Sequence, residues 1–508
     1  MTAPTLPPEI TFDVLHTEVG NGRRLLENYG SDLCFHTDLN MWLVWNKTHW
    51  VLDKTGRRVA MLLKQMLQEM RNEANAVIAE LTPVVAGFPD AENPTEAEVP
   101  IVQRLASAKK TRDWSIKSES DKAVNGSVRQ ASSEKAVRTV RAGDLDQHPL
   151  LLNVLNGTYD LTTNELYEPR REDLITRIAP VEFIELAPCK RFIQFMREIF
   201  PNDPELIVYV QRLLGYALSG YCTERVLPFW IGNGANGKSV LANIILGILG
   251  TLSDGYGMEA SFNSFIMGRF NEPDKPRNDI MRFQGKRFIT ASEKDDDTAK
   301  LDTELLKKIS GNDDLSGRGN YAPDSQFKPQ AKIFLRMNNA PRVTDATDSF
   351  WDRVKPIRFG QKFDVTTANP HLAEEIVKAE AAGILNWMIE GWQQVQKAWE
   401  KKEVALPTPA SVIAETLDYR TNQSQVARFF GEKCRVSTIA ADDCQPIGAT
   451  TMYGRYTTWC DLQGEKSRKN QTTFGTELAR HLSIYPQVKK GPYGKDRQIH
   501  WWGIEFAD

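Results

Sequence analysis

The sequence predicts an α/β protein, and three observations carry that reading. Residues Gly232 to Ser239 read G-N-G-A-N-G-K-S, a complete GxxxxGK[ST] phosphate-binding loop. The loop lies between an apolar run at 226–231, which reads as a buried strand, and a run at 240–246, which reads as a helix. Residues 226–360 continue to alternate apolar strands with helices, the pattern of α/β organisation.

Each part of the loop has a physical task. Gly232, Gly234 and Gly237 let the backbone approach phosphate oxygens, and Asn233, Ala235 and Asn236 complete the cradle of N–H groups. The helix that follows presents further donors and a positive dipole end. Lys238 is placed to reach the β and γ phosphates of ATP, and Ser239 to hold Mg²⁺.

Composition bounds what surrounds this loop. A chain of 508 residues predicts two to four domains. Apolar content of 41% and charged content of 25% fit a globular protein in water. The net charge of −3 gives no global attraction to nucleic acid, so DNA contact must come from local basic surfaces. The six cysteines are scattered without a CxxC pair, which predicts reduced thiols and a cytoplasmic location. The N-terminus lacks a signal-peptide pattern, and no apolar run approaches the ~20 residues that span a bilayer.

In chain order, Trp42, Val44 and Trp50 alternate like strand residues, with Asn46 and Lys47 as a turn. Residues 59–82 carry helical periodicity, with Met61, Leu62, Met66, Leu67, Met70 and Ala74 near one face. Residues 83–99 read as a loop, and 100–147 as polar and helical. The basic cluster Lys109, Lys110 and Arg112 reads as a solvated face. At 150–183 short strands are expected, with a hairpin turn at Asn156-Gly157. Residues 190–222 read as two helices and 370–400 as helical, with Ile384, Leu385, Trp387 and Met388 as core candidates. Leu406 to Pro409 marks a boundary before a small, aromatic and basic last module.

Beyond the loop, residues 286–293 read as a strand ending in Glu293, a carboxylate placed to orient Mg²⁺ or polarise a water. Residues 332–338 read as a strand ending in Asn338, an amide suited to sense a γ-phosphate. Arg353 follows the pair Phe350-Trp351, where it could reach a neighbouring subunit's nucleotide as a finger.

The order and wording of these stretches resemble superfamily 3 helicases, specifically the phage and plasmid primase–helicase group related to poxvirus primase-helicases. The matching stretches include Leu152-Asn153-Val154 with Asn156-Gly157, Leu214 to Gly220, the phosphate loop, Gly285 to Glu293, Leu306 to Gly311, Asn338 to Arg342 and Phe350 to Arg353. The resemblance implies a hexameric AAA+-like ring that hydrolyses ATP with Mg²⁺. It implies translocation on single-stranded DNA, 3′ to 5′, and unwinding of forked DNA during replication of a phage or mobile element. It assigns Lys238 and Ser239 to phosphate and metal, Glu293 to the catalytic acid and metal, Asn338 to the sensor and Arg353 to the trans-acting finger. It places a pore hairpin at 315–327, with Arg318, Tyr321 and Lys328 as DNA contacts and Lys307 in the helix before them.

Two departures stand out. Glu293 is followed by Lys294 and then Asp295-Asp296-Asp297, which leaves the second metal acid open. Ala322 stands where the hairpin often carries a lysine. The resemblance also divides the chain into a helicase-associated α+β region at 1–147, a strand and helix collar at 148–222, an ATPase core at 223–405 and a winged-helix-like module at 406–508. In that module Lys489, Lys490, Lys495 and Arg497 are expected in a basic, glycine-containing turn that contacts DNA phosphates. The expectation is a helicase without its own primase, partnered by a separate primase or polymerase. Three rivals remain: an origin-binding initiator, an ATP-gated scaffold that docks partners on its N-terminal tryptophans, and a small-molecule kinase.

Overall fold

The computed structural model describes residues 16–507 apart from 91, 268–276, 294–299, 319–323, 342, 344–346, 365, 367, 439–443, 466–467, 484 and 495–496. Its centre is a five-stranded, wholly parallel sheet. Across the sheet the strands run Val354–Arg358, Leu227–Ile231, Lys332–Met337, Phe288–Ser292 and Gly257–Ser261. The strands at 227–231 and 332–337 are buried along their whole length, as apolar runs covered on both faces must be.

Alternation along each strand divides the core in two. Trp230, Phe288, Phe334 and Ile357 face a cluster built with the helix Lys238–Leu249, the helices Lys190–Ile199 and Pro204–Tyr216, and the long helix Leu372–Glu400. Leu227, Phe229, Ile289, Leu335 and Val354 face the other side, against Leu306, Phe350, Trp351 and Tyr419. Pro204 opens its helix, and the Asp203 carboxylate accepts from the Leu206 N–H at 3.0 Å, satisfying one of the free donors of the first turn.

Before the sheet, the strands Leu151–Val154, Gly157–Asp160 and Glu165–Tyr167 form a meander. Gly157 opens the second of them, and a Cβ there would lie 2.7 Å from the Tyr167 carbonyl oxygen. The N-terminal region is a four-stranded sheet (Trp50–Asp53, Met41–Trp45, Leu33–His36, Arg138–Val140) packed with four helices. It is tied to the meander region by Asn153, whose amide donates to the Thr48 carbonyl at 2.9 Å, and by the Trp50 indole, which donates to the Arg171 carbonyl at 2.9 Å. Trp42, Trp45 and Trp50 are buried, so they build this core rather than offer a docking surface. In the helix Arg57–Ala86 the buried row is Val59, Leu63, Met66, Leu67, Met70 and Ala74, while Met61 is exposed. The expected core position at 61 instead lies on the opposite face of the helix, roughly 200° round from Val59 at about 100° per residue.

After the boundary at Leu406 to Pro409, the helix Ala410–Gln423 returns to the sheet. Arg358 pairs with Glu415 at 2.5 Å, and the Tyr419 hydroxyl donates to the Pro341 carbonyl at 2.7 Å. The last unit follows from Gln425. Its three helices (Gln425–Lys433, Ala449–Leu462, Gln471–Leu482) enclose Phe429, Tyr456, Trp459 and Phe474, and a hairpin of Lys489–Tyr493 with Gln498–Trp502 closes it. Among the described residues, no helix is long and apolar enough to cross a membrane.

Candidate functional site

In an open parallel sheet, loops leaving the C-terminal strand ends gather in one crevice. Three of those loops carry the chemistry expected here. The strand Leu227–Ile231 delivers the glycine loop, Phe288–Ser292 delivers Glu293, and Lys332–Met337 delivers Asn338. The strand ending at Asn338 lies between the other two, so all three ends meet. They line a crevice of about 230 Å³ with Gly234, Ala235, Asn236, Gly237, Lys238, Ser239, Ser292, Glu293, Arg336 and Asn338 on its walls.

The loop backbone is shaped for close approach. Gly234 has φ +64° and Gly237 φ +88°, in the left-handed region that glycine tolerates. Ala235, at φ 44°, takes the same region without that freedom. A Cβ on Gly232 would lie 2.5 Å from the Phe359 carbonyl oxygen, and one on Gly237 would lie 2.5 Å from the Ile199 side chain. Asn236 is buried and donates to the Phe359 carbonyl at 3.3 Å, which ties the loop to the end of the neighbouring strand. Asn233 is exposed and does not line the crevice.

Lys238 opens the helix and is buried. Its ammonium donates to the Gly232 carbonyl and, at 3.2 Å, to the Asn236 side-chain oxygen. Burial and the nearby Arg336 charge push its pKa below the usual lysine range. Ser239 is exposed beside it. The Glu293 N–H donates to the Arg336 carbonyl at 2.8 Å, which fixes the acid where its strand ends. Ser292 and Glu293 give the crevice hard oxygen atoms at the acid strand, and Ser239 adds a hydroxyl from the loop helix. Such a donor set suits Mg²⁺, which takes one or two protein oxygens and fills the rest with phosphate and water. The acids at 295–297, candidates for a second metal ligand, lie outside the described residues.

Arg353 lies elsewhere. It precedes Val354, which pairs with Leu227, so it sits at the N-terminal edge of the sheet. Five strand residues separate that edge from the loop, roughly 16 Å at about 3.3 Å per residue. One guanidinium nitrogen donates to the Ser349 carbonyl, and Nε is buried without a hydrogen-bond partner among the described residues. Burial, then the Arg225 charge, holds its pKa below the usual arginine value.

Leu315–Arg318 pairs antiparallel with Asp324–Phe327, and residues 319–323 between them lie outside the described residues. Arg318 ends the first strand and Lys328 is exposed just after the second. Lys307 is half-buried on the helix Thr303–Ser310. Tyr321 and Lys495 lie outside the described residues. Lys489 and Lys490 differ from expectation: they stand on the strand Lys489–Tyr493, not in a turn. Lys489 pairs with Trp502 and Lys490 with Trp501, and the Lys490 ammonium lies 5.0 Å from the Trp501 ring. Arg497 is found in the turn, exposed, at φ 48°.

Two crevice residues, Ser292 and Arg336, were not singled out from sequence, nor was Glu259, which pairs with Arg336. A signal existed for Arg336, a charge inside the apolar run Ile333 to Met337.

With this geometry in place, comparisons with known proteins point one way. The family described as "D5 N terminal like" matches residues 22–201. A protein of Acanthamoeba polyphaga mimivirus named "Putative helicase L207/L206" is 25% identical over 373 residues, covering 70% of this chain and 37% of its own length. One of Invertebrate iridescent virus 3 named "Putative helicase 121R" is 23% identical over 239 residues, covering 46% of this chain and 25% of its own length. African swine fever virus (strain Badajoz 1971 Vero-adapted) has a protein named "Putative primase C962R" that is 24% identical over 309 residues, covering 57% of this chain and 31% of its own length. The matches thus span between a quarter and two-fifths of these relatives. The apo structure of the NrS-1 C-terminal region aligns over 96% of this chain and 99% of its own, with a TM-score of 0.46 and 11% identity.

Proposed function

Because the chain belongs to the phage and viral primase–helicase family, we propose that it is an ATP-driven DNA helicase that acts as a ring of identical subunits. The observation that carries this is a division of labour across one sheet. Lys238, Ser239, Glu293 and Asn338 converge on a single crevice, while Arg353 sits at the opposite edge of the same sheet.

The residues act as follows. The glycine loop and the helix start cradle the triphosphate, and Lys238 leaves the Gly232 carbonyl to meet the β and γ phosphates. Ser239 and Glu293 would hold Mg²⁺, which would supply neutralising charge at the phosphates. Glu293 orients the attacking water, and Asn338 hydrogen-bonds the γ-phosphate or that water. Arg353 completes the site of the next subunit, so hydrolysis depends on assembly. The hairpin at 315–327 tracks the DNA strand, with Lys307, Arg318, Tyr321 and Lys328 repeated around a central channel. In this reading the chain divides into an N-terminal region at 1–147, a collar at 148–222, an AAA+-like core from 223 and a winged-helix-like C-terminal module; the boundary expected at 406 moves to Gln425, because the helix Ala410–Gln423 packs on the sheet of the core.

Cross-complementation tests the arrangement. Lys238→Ala and Arg353→Ala should each abolish ATP hydrolysis alone. Mixed, they should recover part of it, because a Lys238→Ala subunit still supplies Arg353 to an intact loop next door. An Arg353→Ala protein that hydrolyses ATP unaided would rule out the ring.

The exposed Lys489, Lys490, Tyr493 and Arg497 on one hairpin favour a second role, binding of duplex at an origin or fork.

A further inference from the structure

We propose that Arg336 is a second phosphate-contacting cation supplied by the same chain as the loop, held by Glu259 until a nucleoside triphosphate enters the crevice. The inference rests on reading that crevice as a triphosphate site.

Alternation places Arg336 on the covered face of the sheet. Ile333, Leu335 and Met337 belong to one core, Phe334 to the other, and Arg336 shares the side of Phe334, where the loop helix packs. At that position the residue is 4% exposed. A buried guanidinium is stable only when its five N–H donors find acceptors. Among the described residues this one has a single partner, Glu259, at 2.5 Å. Its Nε is buried and has no hydrogen-bond partner among those residues.

Glu259 is a weak anchor. Its side chain is 54% exposed, and a pair with one end in water contributes little. On the crevice side, Arg336 stands opposite Ser292 in the pairing register rather than a carboxylate. Arg336 and Lys238 bring two positive charges to one crevice, whose wall also carries the Glu293 carboxylate, and the Arg336 charge contributes to the lowered lysine pKa. A polyanion relieves that conflict. The γ-phosphate, with its charge and its several acceptor oxygens, is the group that outcompetes an exposed glutamate for a guanidinium. The device would report triphosphate in cis, independently of the finger in trans.

The test measures affinity for ATPγS and for ADP by calorimetry, with Mg²⁺ and without DNA, on the full chain. Arg336→Ala should lower ATPγS affinity about tenfold or more while ADP affinity stays near wild type. Arg336→Lys should fall between, keeping the charge but not the fork. Glu259→Gln, which keeps an amide oxygen to accept from the guanidinium but removes the charge, should tighten ATPγS about threefold and leave ADP unchanged, because the competing anion is gone. Equal losses for both nucleotides in Arg336→Ala, or an unchanged ATPγS affinity in Glu259→Gln, would overturn the switch. If wild type binds neither nucleotide, the triphosphate reading of the crevice falls, and this proposal with it. If wild type binds both and only the variants fail to discriminate as stated, the crevice stands and Arg336 is structural.

Discussion

The guanidinium of Arg287 donates to the carbonyl of Leu151 at 2.6 Å. It also donates to the carbonyls of Leu218, at 2.5 Å, and His148, at 3.3 Å. Arg287 immediately precedes the strand that ends in Glu293, so one buried side chain fixes both the meander and the helix end against the base of the acid strand. Lys332, at the base of the next strand, repeats the device: its ammonium donates to the Ser219 and Gln330 carbonyls and lies 4.5 Å from the Tyr216 ring. The acid and the sensor amide at the far ends of these strands inherit that placement.

Arg287→Ala should therefore destabilise the fold by about 3 kcal/mol, since it strips charge-assisted bonds from buried carbonyls. Chemical denaturation would measure it. A shift under about 0.5 kcal/mol, the scale of a neutral surface change, would show that water replaces the guanidinium there.

Burial pushes the Lys332 ammonium down to about 7, and that of Lys286 likewise. The unfolded chain keeps these amines protonated up to about 10.4. Between the two values the unfolded state binds more protons, so stability rises with pH from about 7 toward 10. Lys332→Met should lose part of this rise. Comparing the denaturation midpoints of wild type and variant at pH 7 and pH 9 isolates the effect, and parallel pH dependences would refute it.

The helices Pro204–Tyr216 and Leu372–Glu400 cross at Gly215 and Gly391. A Cβ on Gly215 would lie 2.2 Å from the Trp392 nitrogen, and one on Gly391 would lie 2.2 Å from the Gln211 carbonyl oxygen. Backbone on both sides cannot yield cheaply, so Gly215→Ala or Gly391→Ala should cost about 2 kcal/mol or more. Thermal unfolding of either variant checks this, and an unchanged Tm would mean the helices separate without penalty.

On the C-terminal hairpin, Lys489→Ala with Lys490→Ala should weaken duplex binding equally for all sequences. The slope of log affinity against log salt should become shallower by roughly 0.9 for each phosphate these lysines neutralise. A titration at several salt concentrations measures this, and an unchanged slope would assign these lysines to the fold alone. The cation packed on Trp501 makes that outcome a physical alternative for Lys490.

Much of this architecture was legible in the sequence because local signals and tertiary placement agreed. The loop at Gly232 to Ser239 has a strand before it and a helix after it, and the turn at Asn156-Gly157 joins two paired strands. What was not legible depended on neighbours distant in sequence. Arg336 reads as an oddity in an apolar run until the fold carries its side chain across the strand Phe288–Ser292 to Glu259, 77 residues away. Lys489 and Lys490 read as turn residues because Gly491 and Pro492 follow them, yet pairing with Trp501 and Trp502 carries the strand through both. The helix Ala410–Gln423 follows a proline-rich break, but burial of Tyr419 draws it back to the sheet.

The most direct test of the ring motor is unwinding of a forked duplex with ATP and Mg²⁺, with wild type run beside Lys238→Ala and Arg353→Ala. Wild type should unwind the fork and hydrolyse ATP faster when single-stranded DNA is present, and each variant should lose both activities. Unwinding that survives Arg353→Ala, or hydrolysis indifferent to DNA, would contradict a ring motor with a finger in trans.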